Sequence, residues 1–193
     1  MKPITAGDVI PYDEYERQRD VFRSKIIALK QRRRISIGPL ITVVFENREK
    51  LRFQIQEMIR TERIVDPLKV QDELDVYNAL LPNLDELSAT LLIEITDEVK
   101  IKEKLDQFMG LDHGDKMAIL ADGEEAFGEF EGGRSHETKI SAVHFVRFRP
   151  SVKMKKIFAD LTQPVTIRVS HGGYHEEVPV PGSMREEWLA DLK

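Results

Sequence analysis

Phe45-Glu46-Asn47-Arg48 ends a predicted strand, and the helix that follows it carries Gln54-Ile55-Gln56-Glu57-Met58-Ile59-Arg60-Thr61-Glu62-Arg63. A helix that only covers a core confines its polar residues to one face. Here an apolar stripe at positions 51, 55, 58 and 59 is opposed by Phe53 and Ile64, which lie among polar residues. A helix buried on two sides must satisfy its polar groups inside the fold or with a ligand. We therefore expect the functional site on this helix.

The composition is typical of one compact domain. The chain has 193 residues, of which 41% are hydrophobic and 33% are charged, which is enough to bury a substantial core. It contains no cysteine, which excludes disulfides, thiolate zinc sites and cysteine-ligated iron–sulfur clusters. Residues 1–8 lack the apolar run of a signal peptide, and no segment approaches membrane-spanning length. We therefore expect a cytoplasmic protein without a membrane segment.

Charge is unevenly distributed along the chain, whose net charge is -5. Residues 1–63 hold 14 Lys and Arg against 9 Asp and Glu, whereas residues 64–193 hold 15 against 25. The basic excess lies in residues 23–34, and such a cluster can bind nucleic-acid phosphates. It also lies at the end of a helix predicted over 12–33, where cations complement the helix dipole. No aromatic residue interleaves the cluster, so the helix-end interpretation is favoured and nucleic-acid binding is the alternative.

Helices and strands alternate irregularly in the predicted secondary structure. Helical patterns cover 12–33, 47–64, 66–82 and 99–109, followed by a segment from 151 to 161 and a C-terminal segment begun by a capping box at 183–186. Asp66-Pro67 and Ser151 are the predicted starts of two of these helices. Strand patterns cover 35–45, 89–95, 116–121, 126–130, 140–149, 165–170 and 176–180, and 132–137 is predicted as a mobile polar loop. Hairpin-like pairs in the second half favour α+β over a doubly wound parallel sheet. We predict one compact α+β domain over 1–193. Its helical N-terminal half packs on a mainly antiparallel sheet from the C-terminal half, with a soft boundary near 84–88.

The ionisable residues most embedded in apolar sequence are Glu46, Glu57, Glu94 and His144. Carboxylates and imidazole can build a non-haem metal site, but no Glu-x-x-His spacing occurs in the chain. Ion pairs with the arginines at 48, 52 and 60 explain the acids more simply. A hydrogen-bond partner in the core is the simpler interpretation of the histidine, and a ligand or proton-transfer role is the alternative. We therefore predict neither a metal site nor a cofactor.

The candidate ligand-binding residues are Glu46, Arg48, Gln56, Glu57, Arg60, Tyr77, Asn78 and His144. In an enzyme, Arg60 would hold an anionic group by a bidentate contact, and Glu57 or His144 would move a proton. Convergence of these side chains on one pocket would favour the enzyme, whereas separate pairing in the core would count against it. Replacing Arg60 or Glu57 by alanine should destabilise the fold by about 3 kcal/mol, as the loss of one partner of a buried ion pair does.

Several segments, taken together, carry a resemblance to a known family. They are Arg33-Arg34, Gly38-Pro39, Phe45-Glu46-Asn47-Arg48, Gln54 to Arg60, Glu62-Arg63-Ile64, Glu73-Leu74-Asp75, Tyr77-Asn78, Leu81-Pro82, Ser88-Ala89-Thr90-Leu91, Ser141-Ala142-Val143-His144-Phe145 and Asp191-Leu192. The chain resembles, over nearly its whole length, the uncharacterised bacterial family called domain of unknown function 3501. It departs from the family pattern at Ser170 and Gly173, where the family tends to show Asp and Pro around the residue matching His171.

The resemblance implies a context rather than an activity. Genes of this family are associated with those for rubrerythrin-like proteins and for iron–sulfur oxidoreductases related to heterodisulfide reductase. An association of this kind suggests partners but no mechanism. We therefore expect a cytoplasmic accessory or ligand-binding protein in a redox or oxidative-stress system, with one of these proteins as its partner.

Two alternatives and two questions stay open at this stage. One alternative is an enzyme or metal-binding protein with a Glu/Arg/His pocket, and the other is nucleic-acid binding through residues 23–34. The sequence does not decide whether there is catalysis, and it leaves a homo-oligomer open.

Overall fold

A computed structural model describes residues 1–133, 135 and 139–192 of the chain. Its helices are α1 (Tyr12–Arg32), α2 (Arg48–Thr61), α3 (Pro67–Asn78), α4 (Ile101–Asp106), α5 (Val152–Ala159) and α6 (Gly182–Asp191), with short 3₁₀ turns at Ala6–Asp8 and Glu98–Lys100. Its strands are β1 (Arg34–Ile37), β2 (Ile41–Phe45), β3 (Leu87–Ile93), β4 (Met117–Ala121), β5 (Glu124–Phe130), β6 (Val143–Phe148), β7 (Val165–His171) and β8 (Tyr174–Pro179). Within these residues, no helix has the length and apolar character needed to span a membrane.

Polar side chains cap three of the helices at their N-termini. Asn47 accepts a hydrogen bond from the backbone of Lys50 at 2.9 Å, and Asp66 and Ser151 cap α3 and α5 in the same way. The capping box predicted at 183–186 is wrong. The last helix already begins at Gly182 after Pro181, so the hydroxyl of residue 183 lies inside the helix and caps nothing.

The helix predicted over 99–109 is shorter than its pattern suggests. A 3₁₀ turn precedes α4, which ends at Asp106, and turns carry the chain on to Leu111. Phe108 and Leu111 are buried in the main core. The helix therefore ends just before these two buried residues. The polar loop predicted at 132–137 includes residues 134, 136 and 137, which lie outside the described residues.

The eight strands form one antiparallel sheet in the order β1-β2-β3-β6-β5-β4-β7-β8. The predicted α+β fold is therefore confirmed. The N-terminal half contributes β1 and β2 to this sheet as well as helices. Because β2 pairs with β3 along its whole length, the sheet continues across the boundary predicted near 84–88.

The sheet curls until its first and last strands nearly meet. The hydroxyl of Tyr174 on β8 donates to the carbonyl of Ile37 on β1 and accepts from the backbone N–H of Leu40 at 3.3 Å. Gly38 turns between β1 and β2 with φ +68°, and a Cβ there would lie 2.5 Å from this hydroxyl. Only glycine combines that backbone conformation with so close an approach.

Two hydrophobic cores support this arrangement. The main core fills the curl, and α5 and α6 cover one end of it, where Trp188 packs on Phe45 and Phe158 with ring centroids 4.7 and 5.3 Å apart. At the other end Phe108 packs on Tyr174 at 5.2 Å. The second core joins α2, α3 and the N-terminal residues through Ile4, Leu51, Ile55, Ile59, Leu74 and Leu81. As a result α2 lies between α1 and α3.

Candidate functional site

Glu57 lies in the contact between α1 and α2, where two residues of α1 hold its carboxylate. Tyr15 donates to Oε1 at 2.7 Å, and Arg19 donates from Nε and Nη2 to the two oxygens at 2.8 and 2.7 Å. The hydrogen bonds from Arg19 lower the pKa of Glu57 in spite of its partial burial. Burial, and then the bond to Glu57, raises the pKa of Tyr15. At neutral pH the carboxylate is ionised and saturated with donors, which makes it a weak base.

Arg60 pairs with an acid of α1 and with none of the embedded acids 46, 57 and 94. Its Nε donates to Glu16 on α1 at 2.6 Å, and its side chain is 28% exposed. Glu57 pairs with Arg19 instead, so Arg60 is not its partner. An ion pair this exposed contributes about 1 kcal/mol or less, well below the value expected for a buried pair.

Two candidate amides hold the N-terminal strap, which we define as residues 2–10. Gln56 accepts from the backbone N–H of Ile10 at 2.8 Å and donates to its carbonyl at 2.9 Å. Asn78 forms the same double contact with Ile4, with both distances 2.8 Å. Each amide thus reproduces the donor and acceptor of a neighbouring strand. The polar groups of both side chains are occupied by the chain's own backbone.

Arg48 holds the beginning of the same strap. Its Nε donates to the carbonyl of Lys2 at 3.1 Å, and its Nη2 lies 2.7 Å from a carboxylate oxygen of Asp8. The hydrogen bond from Arg48 lowers the pKa of Asp8, so the pair stays ionised at neutral pH. In this structure the guanidinium therefore contacts the strap.

Tyr77 is half-buried beside the second core. Burial, and then the nearby carboxylates of Glu73 and Glu62, raise the pKa of its hydroxyl. The hydroxyl thus lies within the field of acidic residues at the end of α2 and on α3, and it stays protonated at neutral pH.

Glu46 forms a buried ion pair with Lys50 at the start of α2. Their charged atoms lie 2.7 Å apart, and the hydroxyl of Thr90 donates to the other oxygen of Glu46 at 2.6 Å. Burial lowers the pKa of Lys50, and the attraction of Glu46 opposes this shift. The two charges compensate each other inside the fold.

A buried charge cluster beside this pair was missed by the sequence analysis. Arg33 is 1% exposed and donates to Asp191 at 2.6 and 3.1 Å and to Glu187 at 2.7 and 3.0 Å. It also donates to the backbone carbonyl of Glu46 at 3.3 Å. The partners are more than 150 residues apart in sequence, so no local pattern indicates the contact. Arg33 therefore ties the end of α1 to α6.

Glu94 forms an exposed pair on the outer face of the sheet. Arg34 lies 2.9 Å from its carboxylate, and Thr42 donates to it at 2.6 Å. The embedded acids 46, 57 and 94 are thus all ion-paired, as expected, but the prediction that their partners are the arginines at 48, 52 and 60 is wrong. Their partners are Lys50, Arg19 and Arg34. The three arginines are paired with other acids, Arg48 with Asp8, Arg52 with Glu49 and Arg60 with Glu16.

His144 is completely buried inside the curled sheet. Its Nε2 lies 2.7 Å from the carbonyl of Ser141, which identifies Nε2 as the protonated nitrogen, and its Nδ1 lies 3.8 Å from Asp112. It faces the interior with Leu91, its partner on β3, whereas Glu46 bonds Thr90, whose side chain points to the opposite face. Within the described residues, no three His, Asp or Glu side chains are grouped closely enough to hold a metal ion.

The candidate residues therefore do not converge on one pocket. They lie in separate places: the α1–α2 contact, the strap, the start of α2, the face of α3 and the interior of the sheet. By the criterion set above, this arrangement counts against a Glu/Arg/His active site.

A cleft does open next to Gln56, between α1, α2 and the end of the strap. Its volume is about 140 Å³, and its lining residues are Ile10, Tyr15, Phe22, Lys25, Ile26, Glu49, Arg52, Phe53 and Gln56. We call it the α1–α2 cleft. Its walls are mainly apolar, and three charged side chains lie around it.

The charged residues of the α1–α2 cleft are two cations and one anion. The guanidinium of Arg52 lies 5.5 Å from the ring centroid of Phe22, in a cation–π contact, and 3.3 Å from Glu49. Lys25 is exposed and has no ion pair in the described part of the chain. Two sequence signals pointed here, namely the candidate residue Gln56 and Phe53 on the polar side of its helix.

Comparisons with known proteins identify a family model and a crystal structure that are similar to this chain. A family model described as "Protein of unknown function (DUF3501)" matches residues 3–192, which confirms the resemblance found in the sequence. The chain is also similar to a crystal structure of a protein of unknown function from Burkholderia pseudomallei K96243, with 28% identity, coverage of 100% of both chains and a TM-score of 0.89. No curated protein matches the chain.

Proposed function

The chain belongs to the family of unknown function DUF3501, and we propose that it binds a small organic anion in the α1–α2 cleft. The observation that carries this proposal is an apolar cleft with two cations beside it, a lysine that forms no ion pair within the described residues and a stacked arginine. Small-molecule sites combine apolar walls with a few placed polar groups. The cleft has this composition.

The size of the cleft limits the ligand. A cavity of roughly 150 Å³ lined by apolar side chains accepts a benzene-sized molecule. At about 140 Å³ the α1–α2 cleft accommodates one ring or a short branched chain. The ligand body is apolar, because Tyr15 donates to Glu57 and Gln56 is paired with the strap, which leaves these groups little capacity for a polar ligand.

The charged residues around the cleft favour a negatively charged ligand. Lys25 and Arg52 outnumber Glu49 there. Arginine binds a carboxylate through two parallel hydrogen bonds, and its contact with Phe22 orients the guanidinium in advance. A carboxylate attached to one ring meets both requirements.

Binding of benzoate tests the proposal directly. We expect benzoate to bind with a Kd on the order of 0.1 mM, or about -5.5 kcal/mol, which is reasonable for so few atoms. Benzamide should bind more weakly, and benzylamine should not bind. The measurement is titration by calorimetry, with NMR shifts to locate the site.

Two variants distinguish binding in the cleft from non-specific binding to positive charge on the surface. Lys25→Gln and Arg52→Gln should each weaken benzoate binding about tenfold, or by about 1.4 kcal/mol. The matched control is Arg168→Gln, because Arg168 is also partly buried and paired with a neighbouring acid, Glu125, but lies on the sheet. Equal binding of benzylamine, or equal losses in all three variants, would refute the proposed site.

We propose that this binding protein serves a redox or oxidative-stress system in the cytoplasm, as an accessory to a rubrerythrin-like or iron–sulfur oxidoreductase partner. The gene association implied by the family resemblance supports this role. The absence of cysteine also supports it, because any thiolate-ligated centre must then belong to the partner. Affinity purification at native expression level tests it. A stoichiometric redox protein is the expected result, and a preparation without one would reject the role.

A further inference from the structure

A second concave surface lies on the opposite side of α2, between its C-terminal end and α3. It has a volume of about 410 Å³ and is lined within residues 62–73, and we call it the α3 groove. Its charged residues are Glu62, Arg63, Asp66, Lys69, Asp72 and Glu73. Acids outnumber bases there by four to two.

The charges of the α3 groove are not neutralised by one another, although the carboxylate of Asp66 also caps α3. None of these six side chains forms an ion pair in the described part of the chain, whereas the charged residues at the α1–α2 contact are paired. Burial, and then the carboxylates of Glu62 and Asp72, raise the pKa of Glu73. Crowding of like charges has this effect, and a cation placed among these carboxylates would relieve it.

Exposed apolar residues accompany the acids. Val70 and Leu74 of α3 pack toward the second core, and one apolar face is enough to hold a surface helix. Yet Leu68 is 76% exposed and Val76 is 63% exposed on the outer face, and Val65, just before the helix, is 89% exposed. Helix α3 is therefore apolar on two sides, and only one of them is covered.

The outer face of α3 has a regular spacing. Leu68, Asp72 and Val76 are four residues apart, so they lie in one row along the helix. At a rise of about 1.5 Å per residue the row extends for about 12 Å, or two helical turns. Two apolar residues flanking an acid match a helix that presents leucines with a lysine or arginine between them.

We infer that the α3 groove and the outer face of α3 form a docking site for a basic amphipathic helix of a partner protein. Charge complementarity determines that the partner helix is positively charged, because the acidic groove attracts Lys and Arg and repels Asp and Glu. The exposed apolar row indicates that the partner segment is an amphipathic helix, because only a segment with an apolar face would cover these residues. A purely basic extended chain would leave them in water. The site is separate from the α1–α2 cleft and does not depend on the proposed ligand.

The first test uses synthetic probes of defined composition. One is a helix of about 18 residues, or about 27 Å, whose contacting face carries leucines with lysines between them, and its matched partner carries glutamate in place of lysine. Spermine serves as a cation without an apolar face. We expect the Leu/Lys peptide to bind with a Kd on the order of 10 μM, and salt at about 0.5 M to weaken it by screening. Fluorescence anisotropy measures the affinity, and NMR shifts locate the contact.

Variants on the two parts of the site complete the test. The double variant Asp72→Asn/Glu73→Gln and the single variant Leu68→Ser should each weaken the Leu/Lys peptide at least tenfold while leaving benzoate binding unchanged. Glu98→Gln/Glu103→Gln is the matched control, because these acids also flank an exposed apolar residue, Val99, but belong to α4 and the 3₁₀ turn before it rather than to α3.

Three results would overturn the docking site. The first is equal binding of the Leu/Glu peptide, and the second is binding of spermine as tight as that of the Leu/Lys peptide. The third is an equal loss of peptide binding in the control and groove variants.

Discussion

Replacing Arg33 by methionine is the most informative single perturbation of this fold. The guanidinium is buried and carries paired hydrogen bonds to Asp191 and Glu187. Methionine fills a similar volume but removes the charge, so packing changes little and the electrostatic loss dominates. The variant therefore measures the strength of the contact between α1 and α6.

The size of the stability loss depends on which buried charges the substitution leaves without a partner. Glu187 keeps an ion pair with Arg32 at 2.8 Å, but Asp191 loses its cation while it remains buried. An uncompensated buried charge costs about 3–5 kcal/mol. We expect the free energy of unfolding to fall by about 4 kcal/mol at neutral pH, which shifts the urea midpoint by about 2 M for a slope near 2 kcal/mol per M.

The protein contains its own probe for this measurement. Trp188 is the only tryptophan, it is fully buried, and it lies on α6 between the two acids that Arg33 binds. Urea unfolding followed by its fluorescence reports loss of that helix contact. Arg34→Met is the matched control, because the neighbouring Arg34 forms an exposed pair with Glu94 and should cost about 1 kcal/mol or less.

The pH dependence and a second substitution distinguish a buried charge from lost packing. Burial already raises the pKa of Asp191, and removing Arg33 should raise it further. The folded variant then binds more protons than the unfolded chain, so the stability gap to wild type should narrow as the pH falls. Arg33→Met/Asp191→Leu should recover most of the loss at neutral pH. Equal midpoint shifts for Arg33→Met and Arg34→Met, or a gap independent of pH, would refute the reasoning.

Three further predictions concern other contacts. Gly38→Ala should destabilise the fold by about 2 kcal/mol or more in thermal unfolding, because alanine at positive φ is strained and its Cβ meets the strand contact that nearly closes the sheet; an unchanged Tm would contradict this. Glu57→Gln should be less stable than wild type mainly above pH 4.5. The hydrogen bonds from Arg19 lower the pKa of Glu57, and the stabilisation they provide disappears as the pH falls through this lowered value. A difference in stability of the same size at all pH values would disprove the charge contribution. Arg60→Ala should lower the free energy of urea unfolding by about 1 kcal/mol or less, as expected for an exposed pair, and a loss near 3 kcal/mol would restore the buried-pair interpretation.

Local patterns predicted most of the secondary structure. The period of the apolar residues identified α1, α2 and α3, and Asp66-Pro67 and Ser151 marked helix starts because capping depends on the nearest few residues. Alternation identified β3 and β7 in the same way. The capping box at 183–186 failed because Pro181 starts the helix earlier, which the four-residue pattern does not include.

The candidate site was predicted less well, because its contacts are not local. The sequence indicated correctly that α2 is buried on two sides and must satisfy its polar groups. It did not indicate that a strap from residues 2–10 occupies Gln56 and Asn78, since backbone groups leave no mark in a side-chain pattern. Lys25 belonged to the predicted basic segment 23–34 and Arg52 was a predicted ion-pair partner, but the sequence did not indicate that they meet at one cleft, because that depends on the packing of α1 on α2.

By itself, the sequence determined the class of the fold, the family and the absence of thiol chemistry, because composition and short-range periodicity carry that information. Only the tertiary structure decided which charges meet. Arg33 and Asp191 are 158 residues apart, and Arg19 and Glu57 are 38 apart. Every acid has many possible cations in a chain with 29 Lys and Arg. Ion pairs form between side chains that the packing of helices and strands brings within a few ångströms, and that packing is settled by the apolar cores rather than by the charges themselves.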